Sequence, residues 1–425
     1  MKNFLSITCI VLSVNAFTQL PHRCYTHEAM QEFETAHPGY LQGVDEIFYR
    51  AKQTGSQDRS TVYTIPVVVH IVYNTPAENL PDSVIFNQIE ILNEDYRRLN
   101  ADTTNLRDTF QTIVGDSFIE FQLAMFDPNG NPTTGITRTS TTQTSFLGVG
   151  GMPAEGVKSG ANGGIDPWDQ SRYLNIWVCD MSLFGSPFLL GYATPPADLP
   201  HWPAGSTDGM SDGVVIQYEA FGSNNPNALD LGSGPITVLG RTTVHEVGHY
   251  LGLRHIWGDG DCTAEDGIDD TPNAVDQSNQ DCNQTANTCT DNIGILGDLP
   301  DMVENYMDYS AETCQNSFTL GQVDMMRAIL ENERFDLING NPAIGFNENQ
   351  FSQIKVYPNP SSGSFVIEGL TAEVSVITIY SNGGNLVSSM PAKKSQLEIS
   401  NLSSGVYYIS VQNHNSVEVK KIVVL

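Results

Sequence analysis

Apolar positions come in two rhythms along the chain. Tyr63 to Tyr73 (YTIPVVVHIVY) is a dense β-branched run and predicts a buried strand. From Ser83 to Leu99, Val84, Ile85, Ile89, Leu92, Tyr96 and Leu99 recur at helical spacing after the start signal Pro81-Asp82. Ile119 to Phe126 alternates like a strand and closes in the turn Asp127-Pro128-Asn129-Gly130. Tyr173 to Cys179 and Gly213 to Tyr218 read as further strands, and Thr319 to Leu337 as one long helix with Val323, Met326, Ile329 and Leu330 on a stripe. Strand, helix and further strands predict an α/β sheet domain over 61–340. After a linker at 341–350 the rhythm changes to short strands (IKVYP, SFVIEGL, VSVITIY, LEIS, VYYISVQ, VEVKKIVVL) separated by turn signals. Residues 351–425 therefore read as a small antiparallel β-sandwich.

Composition bounds the rest. The chain has 425 residues and 40% apolar residues, enough for two or three domains with real cores. Twenty basic residues against 49 acidic ones leave a net charge of −29, which makes the chain a poor candidate for nucleic acid, because phosphate binding needs lysine and arginine. The first residues, MKNFLSITCIVLSVNAF, have the form of a signal peptide over 1–18. Lys2 starts it, Phe4 to Val14 is its apolar run, and Val14-Asn15-Ala16 offers small residues for cleavage. That run is too short to span a membrane, and no later stretch reaches 18 apolar residues. A secreted protein is expected. Residues 19–60 are polar with scattered apolar positions and end in the linker QTGSQDRS, which reads as a pro-segment or as a helical extension.

The candidate chemistry lies in Thr242 to Asp259, TTVHEVGHYLGLRHIWGD. His245 and His249 are four apart and share one helix face, with Glu246 beside them. Gly252 can end the helix with a positive φ, so that the chain turns back and presents His255. Three imidazoles and an open position suit a catalytic zinc, whereas a structural zinc closes its fourth position with a protein ligand. Glu246 would act as general base towards a zinc-bound water. From Ile256 to Ser310 there are thirteen Asp/Glu and no Lys/Arg. Asp259, Asp261, Glu265, Asp266, Asp269 and Asp270 are hard oxygen donors suited to calcium, although their spacing is not that of an EF-hand. Of seven cysteines, Cys9 belongs to the signal, and Cys262, Cys282, Cys289 and Cys314 cluster near the histidines. In an exported protein the four imply disulfides, with three possible connectivities. Cys179 reads as an inert core thiol, and Cys24 stands alone in the pro-segment.

HEVGHYLGLRHIWGD, together with ENYMDYS at Glu304 to Ser310, resembles the pappalysin (cytophagalysin-type) metzincins. IPVVVHIVYNTP at Ile65, LNIWV at Leu174, GYATPP at Gly191 and NSFTLGQ at Asn316 extend the likeness over most of 61–338. The resemblance implies a metzincin-like catalytic domain, with a twisted mixed sheet, an active-site helix and a loop-rich lower subdomain. It implies a zinc endopeptidase acting on protein or peptide substrates. His245, His249 and His255 would be the zinc ligands, Glu246 the base, Met307 the methionine beneath the metal and Tyr309 the tyrosine beside it. It further implies the pairs Cys262–Cys289 and Cys282–Cys314, and calcium on Asp266 and Thr271 with Asp269 near. In relatives that cut before Arg or Lys, an acidic residue directly precedes the last cysteine. Here that position is Thr313, with Glu312 one step earlier, which predicts a broader preference. Some relatives have a pro-segment cysteine beside an arginine that blocks the zinc. Arg23-Cys24 matches, and cleavage near Arg59 would release it.

From about Phe351, KVYPNPSSGSF, LSSGVYYISV and KKIVVL resemble the C-terminal sorting domain of the type nine secretion system. This implies a Gram-negative exporter and a partnership with that secretion machinery. Two other classes fit parts of the sequence. One is a non-peptidase zinc hydrolase. The other is a non-catalytic adhesin with a structural metal, for which Glu246 would have no use.

Overall fold

The computed structural model describes residues 23–57, 59–147, 155–199, 202, 211–339, 343, 355–370, 374–382, 386–391, 396–413 and 417–425. The signal peptide expected over 1–18 lies outside these residues, as does all but Ala343 of the 341–350 linker.

Two helices come first, α1 (Thr26–Ala36) and α2 (Tyr40–Thr54). Strands β1 (Tyr63–Tyr73), β2 (Ile119–Leu123), β3 (Ile136–Ser140) and β4 (Leu174–Cys179) follow, with α3 (Asp82–Tyr96) between β1 and β2. A short hairpin, β5 (Ser182–Leu183) and β6 (Ser186–Pro187), leads to β7 (Gly191–Ala193) and β8 (Val214–Gln217). The sheet order is β2-β1-β4-β8-β7. β2 pairs with the first half of β1, and β3 with the second half. All pairings are parallel except that of β7, which runs antiparallel to β8 at the edge. Residues 65–72 of β1 are buried without a break, as a strand covered on both faces requires. Beside β7 and β8 packs α4 (Arg241–Tyr250), and α5 (Leu320–Glu331) and α6 (Phe335–Ile338) complete this part.

Two expected helices differ from the sequence reading. α3 stops at Tyr96, and Leu99, placed on its apolar stripe, is 69% exposed. Arg98 takes a φ of 51°, which ends the helical path. The helix expected over 319–337 is capped by a reciprocal Thr319–Gln322 pair but breaks at Asn332. Beyond the break Arg334 turns inward, and its guanidinium donates to the buried Asp212 carboxylate and to the Tyr250 carbonyl.

His70 is the one charged-type side chain within the buried run of β1. Its ring nitrogens meet Thr137 Oγ1 at 2.7 Å and Asn175 Oδ1 at 3.0 Å. Burial pushes its pKa down to about 4. The unfolded chain, near 6.5, therefore binds a proton that the folded chain refuses. Stability from this site is complete above about pH 6.5 and is lost as the pH falls towards 4, by about 3 kcal/mol in total. Denaturant titrations at pH 7 and pH 4.5 should lose less stability in His70→Gln than in wild type. An equal loss in both would remove His70 from the acid response.

The C-terminal strands β9 (Lys355–Tyr357), β10 (Ser364–Glu368), β11 (Val374–Ser381), β12 (Leu386–Met390), β13 (Gln396–Ser400), β14 (Gly405–Asn413) and β15 (Val417–Val424) form two antiparallel sheets, β13-β10-β9 and β12-β11-β14-β15. Alternate residues such as Phe365, Ile367, Ile377, Ile379, Ile409 and Ile422 form their shared core. No helix among the described residues is long and apolar enough to cross a membrane.

Candidate metal centre

Every residue of α4 is buried. The spacing of His245 and His249 puts both rings on one face, and Gly252, at φ +88°, lets the chain reverse. His255 then comes back to them. The three Nε2 atoms lie 3.1, 3.1 and 3.3 Å apart. Each Nδ1 is engaged elsewhere: His245 donates to the Tyr306 carbonyl at 2.7 Å and His249 to the Leu253 carbonyl at 2.8 Å, while His255 meets Asp259 Oδ1 at 2.6 Å. A carbonyl can only accept, so the Nδ1 proton is fixed and the Nε2 lone pair is free to face inward. Burial pushes the His249 pKa down to about 3 and that of His245 well below its ordinary value. Both are thus neutral, as ligation requires. Nitrogens bound tetrahedrally at 2.0–2.1 Å from zinc are about 3.3 Å from one another, so the triad fits the ion.

Glu246 is fully buried beside this face, and loss of hydration raises its pKa to about 8. Two glycines make the packing possible. A Cβ on Gly191 of β7 would lie 2.7 Å from Glu246 Cγ and 2.9 Å from its Oε1. A Cβ on Gly248 would lie 2.5 Å from Met307 Sδ, so this glycine lets Met307 pack against the helix. Gly191→Ala should push the carboxylate aside by about 1 Å and cost about 10² in kcat/KM, with unchanged zinc content. Wild-type turnover in that variant would show that the Glu246 position is not critical. The ring of Tyr309 stands 5.6 Å from that of His245 and 5.0 Å from that of His255.

The N-terminal segment fills the cleft. Cys24 Sγ and one ring nitrogen each of His245, His249 and His255 all lie within 4.8 Å of one another; among the described residues this is the one group of three or more His, Cys, Asp or Glu close enough for one ion. The Tyr309 hydroxyl donates to the Cys24 carbonyl at 3.0 Å, and the Tyr25 amide to the Gly191 carbonyl at 3.0 Å. Arg23 is 5% exposed. Its guanidinium donates to the Ser310 carbonyl and, at 3.0 Å, to Gln315 Oε1, with Glu312 Oε1 at 3.8 Å. Glu312, not Thr313, faces this pocket, since Thr313 is exposed. α2 carries the segment across the body. Arg254 pairs with Asp45 and covers the Phe48 ring, and Lys52 Nζ donates to the Gly267 carbonyl and to Asp269 Oδ1. The QTGSQDRS stretch, read as a free linker, lies along α5. Asp324 accepts from the Ser56 amide and pairs with Arg59, and Glu331 accepts from the Gln57 amide.

The acidic loop is joined by the disulfides Cys262–Cys289 and Cys282–Cys314. Its carboxylates do not converge as the sequence reading grouped them. Asp259 turns to His255 and His27, and Asp269 is exposed and paired with Lys52. Asp266 is buried, and its Oδ2 has no well-formed hydrogen bond; nor has Thr271 Oγ1 or Asp270 Oδ1. Burial drives the Asp266 carboxyl well above the usual range. Asp259 and Thr26 were missed as parts of the site. An aspartate four residues after the third histidine was the available signal for the first, and nothing in the sequence signalled the second.

Residues 164–331 match the peptidase M43 family, described as pregnancy-associated plasma protein-A, and residues 355–425 match the secretion system C-terminal sorting domain. The mutant promirolysin of Tannerella forsythia is 39% identical, covering 74% of this chain and 96% of that one, with a TM-score of 0.60. Mature mirolysin of the same organism, in complex with a cleaved peptide, is 42% identical over 66% of this chain and 97% of that one, with a TM-score of 0.55. An extracellular metalloprotease of Arthroderma benhamiae is 26% identical over 79% of this chain and 91% of the relative. With three converging imidazoles, a buried glutamate and a methionine turn assembled on this sheet and helix, the chain belongs to the pappalysin family of metzincins, and it is a secreted or cell-surface metalloendopeptidase whose C-terminal domain points to type nine secretion.

Proposed function

We propose that residues 61–340 form a zinc endopeptidase held latent by residues 19–60, and that 351–425 serve its export. The observation that carries this is the triad of Nε2 atoms 3.1–3.3 Å apart with Glu246 beside it. Nitrogen donors of this kind suit zinc better than calcium or magnesium. Zinc bound there would supply a Lewis acid and a water of lowered pKa. Glu246 takes the proton of the attacking water and delivers it to the leaving amine. The Tyr309 hydroxyl, which donates to the Cys24 carbonyl in this state, donates to the oxygen of the carbonyl under attack once the cleft is free. Met307 is buried and forms an apolar floor.

Cys24 supplies latency in this reading, with its sulfur as fourth ligand. X-ray absorption of the intact proenzyme should then detect a sulfur neighbour of zinc, and a shell of nitrogen and oxygen alone would reject it. The peptidase reading is tested by casein digestion with the processed protein, with and without 1,10-phenanthroline. Chelator-sensitive cleavage restored by zinc supports it. Zinc binding without cleavage would favour the adhesin.

The orphaned oxygens of Asp266, Asp270 and Thr271 suit a hard cation such as calcium, with Asp270 in the place expected of Asp269. Removing calcium with EGTA should lower the Tm and loosen the 259–314 loop while zinc stays bound. A Tm unaffected by EGTA would remove calcium from the site.

A further inference from the structure

We infer that Thr26 is a second inhibitory group of the N-terminal segment, acting on Glu246 independently of Cys24. The inference rests on the peptidase reading above and extends it to how the base is silenced. Thr26 is the first residue of α1, directly after the N-cap Tyr25, and is 2% exposed, with its side chain turned into the cleft. The Ala193 amide of β7 donates to Thr26 Oγ1 at 2.8 Å, and that oxygen lies 3.0 Å from Glu246 Oε2. The hydroxyl accepts from the amide and donates its own proton to Glu246 Oε2. One side chain thus engages two groups that a substrate would need, the base and an outward amide of the antiparallel edge strand.

The same Glu246 oxygen lies 3.4 Å from Cys24 Sγ, and the Thr26 amide donates to that sulfur at 3.3 Å. The two inhibitory contacts differ in kind. A thiol that ligates a metal gives up its proton and can no longer donate to Glu246. Thr26 then remains the donor that keeps the carboxylate engaged. Cys24 closes the metal position and Thr26 closes the base, so removing one leaves the other in force.

The test uses the full-length, uncleaved proenzyme, checked by mass, against a quenched fluorogenic peptide, with processed wild type in parallel. Thr26→Val keeps shape and branching and deletes the hydroxyl. It should raise residual proenzyme activity about tenfold or more, whereas Thr26→Ser, which keeps the hydroxyl, should stay within about twofold of wild type. Cys24→Ala/Thr26→Val should exceed Cys24→Ala by a similar factor. Hydrogen exchange of the α1 amides gives a readout independent of turnover. Thr26→Val should speed exchange more when Glu246 is present than in Glu246→Ala, where only the Ala193 bond is left to lose. Equal latency of Thr26→Val and wild type, with additive exchange effects, would overturn the inference. Processed wild type that is inactive or indifferent to chelator would instead sink the peptidase reading, and the exchange cycle would still decide the Thr26–Glu246 contact.

Discussion

Glu246→Ala in the processed enzyme should lower kcat/KM by a factor on the order of 10² to 10⁴ or more, with zinc content retained. The three imidazoles take their orientation from the carbonyls of Tyr306 and Leu253 and from Asp259, none of which depends on Glu246. The fold should also tolerate the change. Glu246 has an Oε1 with no hydrogen-bond partner, so alanine removes a buried polar group that is not fully satisfied. Loss of activity should therefore come without loss of Tm. Stoichiometric zinc analysis beside a peptide assay checks both halves. Turnover near wild type would reject the base, and loss of zinc would make the variant uninformative about proton transfer but would itself contradict the ligand assignment.

Peptides with arginine after the scissile bond should be cut about 10² times faster than matched peptides with methionine or citrulline there. Thr313, the position read from the sequence, is exposed and cannot line a buried pocket. Arg23 occupies the pocket next to the metal position; burial lowers its pKa, and the nearby carboxylates of Glu312 and Asp308 oppose that lowering. Asp308 Oδ2 has no hydrogen-bond partner. Once Arg23 leaves, those carboxylates face a cavity without a counter-charge, which is costly unless a substrate cation replaces it. Changing the peptide rather than Glu312 keeps the result clean, because Glu312 also accepts from the Thr242 amide at the start of α4. Cleavage maps without enrichment of Arg or Lys at that position would restore the broader preference.

The residues legible in the sequence were those whose role is set by local periodicity. The β-branched run Tyr63–Tyr73 is β1 residue for residue. The histidines four apart meet because a helix repeats every 3.6 residues, and the Gly252 turn follows from the one residue type at ease with positive φ. For 19–60 a helical extension was one of two readings, and the two helices were not placed, although Tyr40, Val44, Ile47, Phe48 and Ala51 keep helical spacing along the buried side of α2. The polar composition masked that period. Roles set by the path of an irregular loop were not legible. No period says that Asp270 rather than Asp269 turns inward, or Glu312 rather than Thr313. Both choices depend on a loop tied down by distant disulfides and by the packing of α2.

The fastenings of the N-terminal segment are graded along its length. At its far end Arg50, Lys52 and Arg59 make ion pairs at the surface, which salt screens and which are worth little each. At its near end Arg23, Cys24 and Thr26 are sealed from water. In the latency proposed above, a nick near Arg59 would free the weak end first and leave the sealed end in the cleft. Scission and activation would then be separate events. A nicked but silent complex would stand between them, with the cut segment as a tight-binding inhibitor, and the onset of activity should lag behind cleavage.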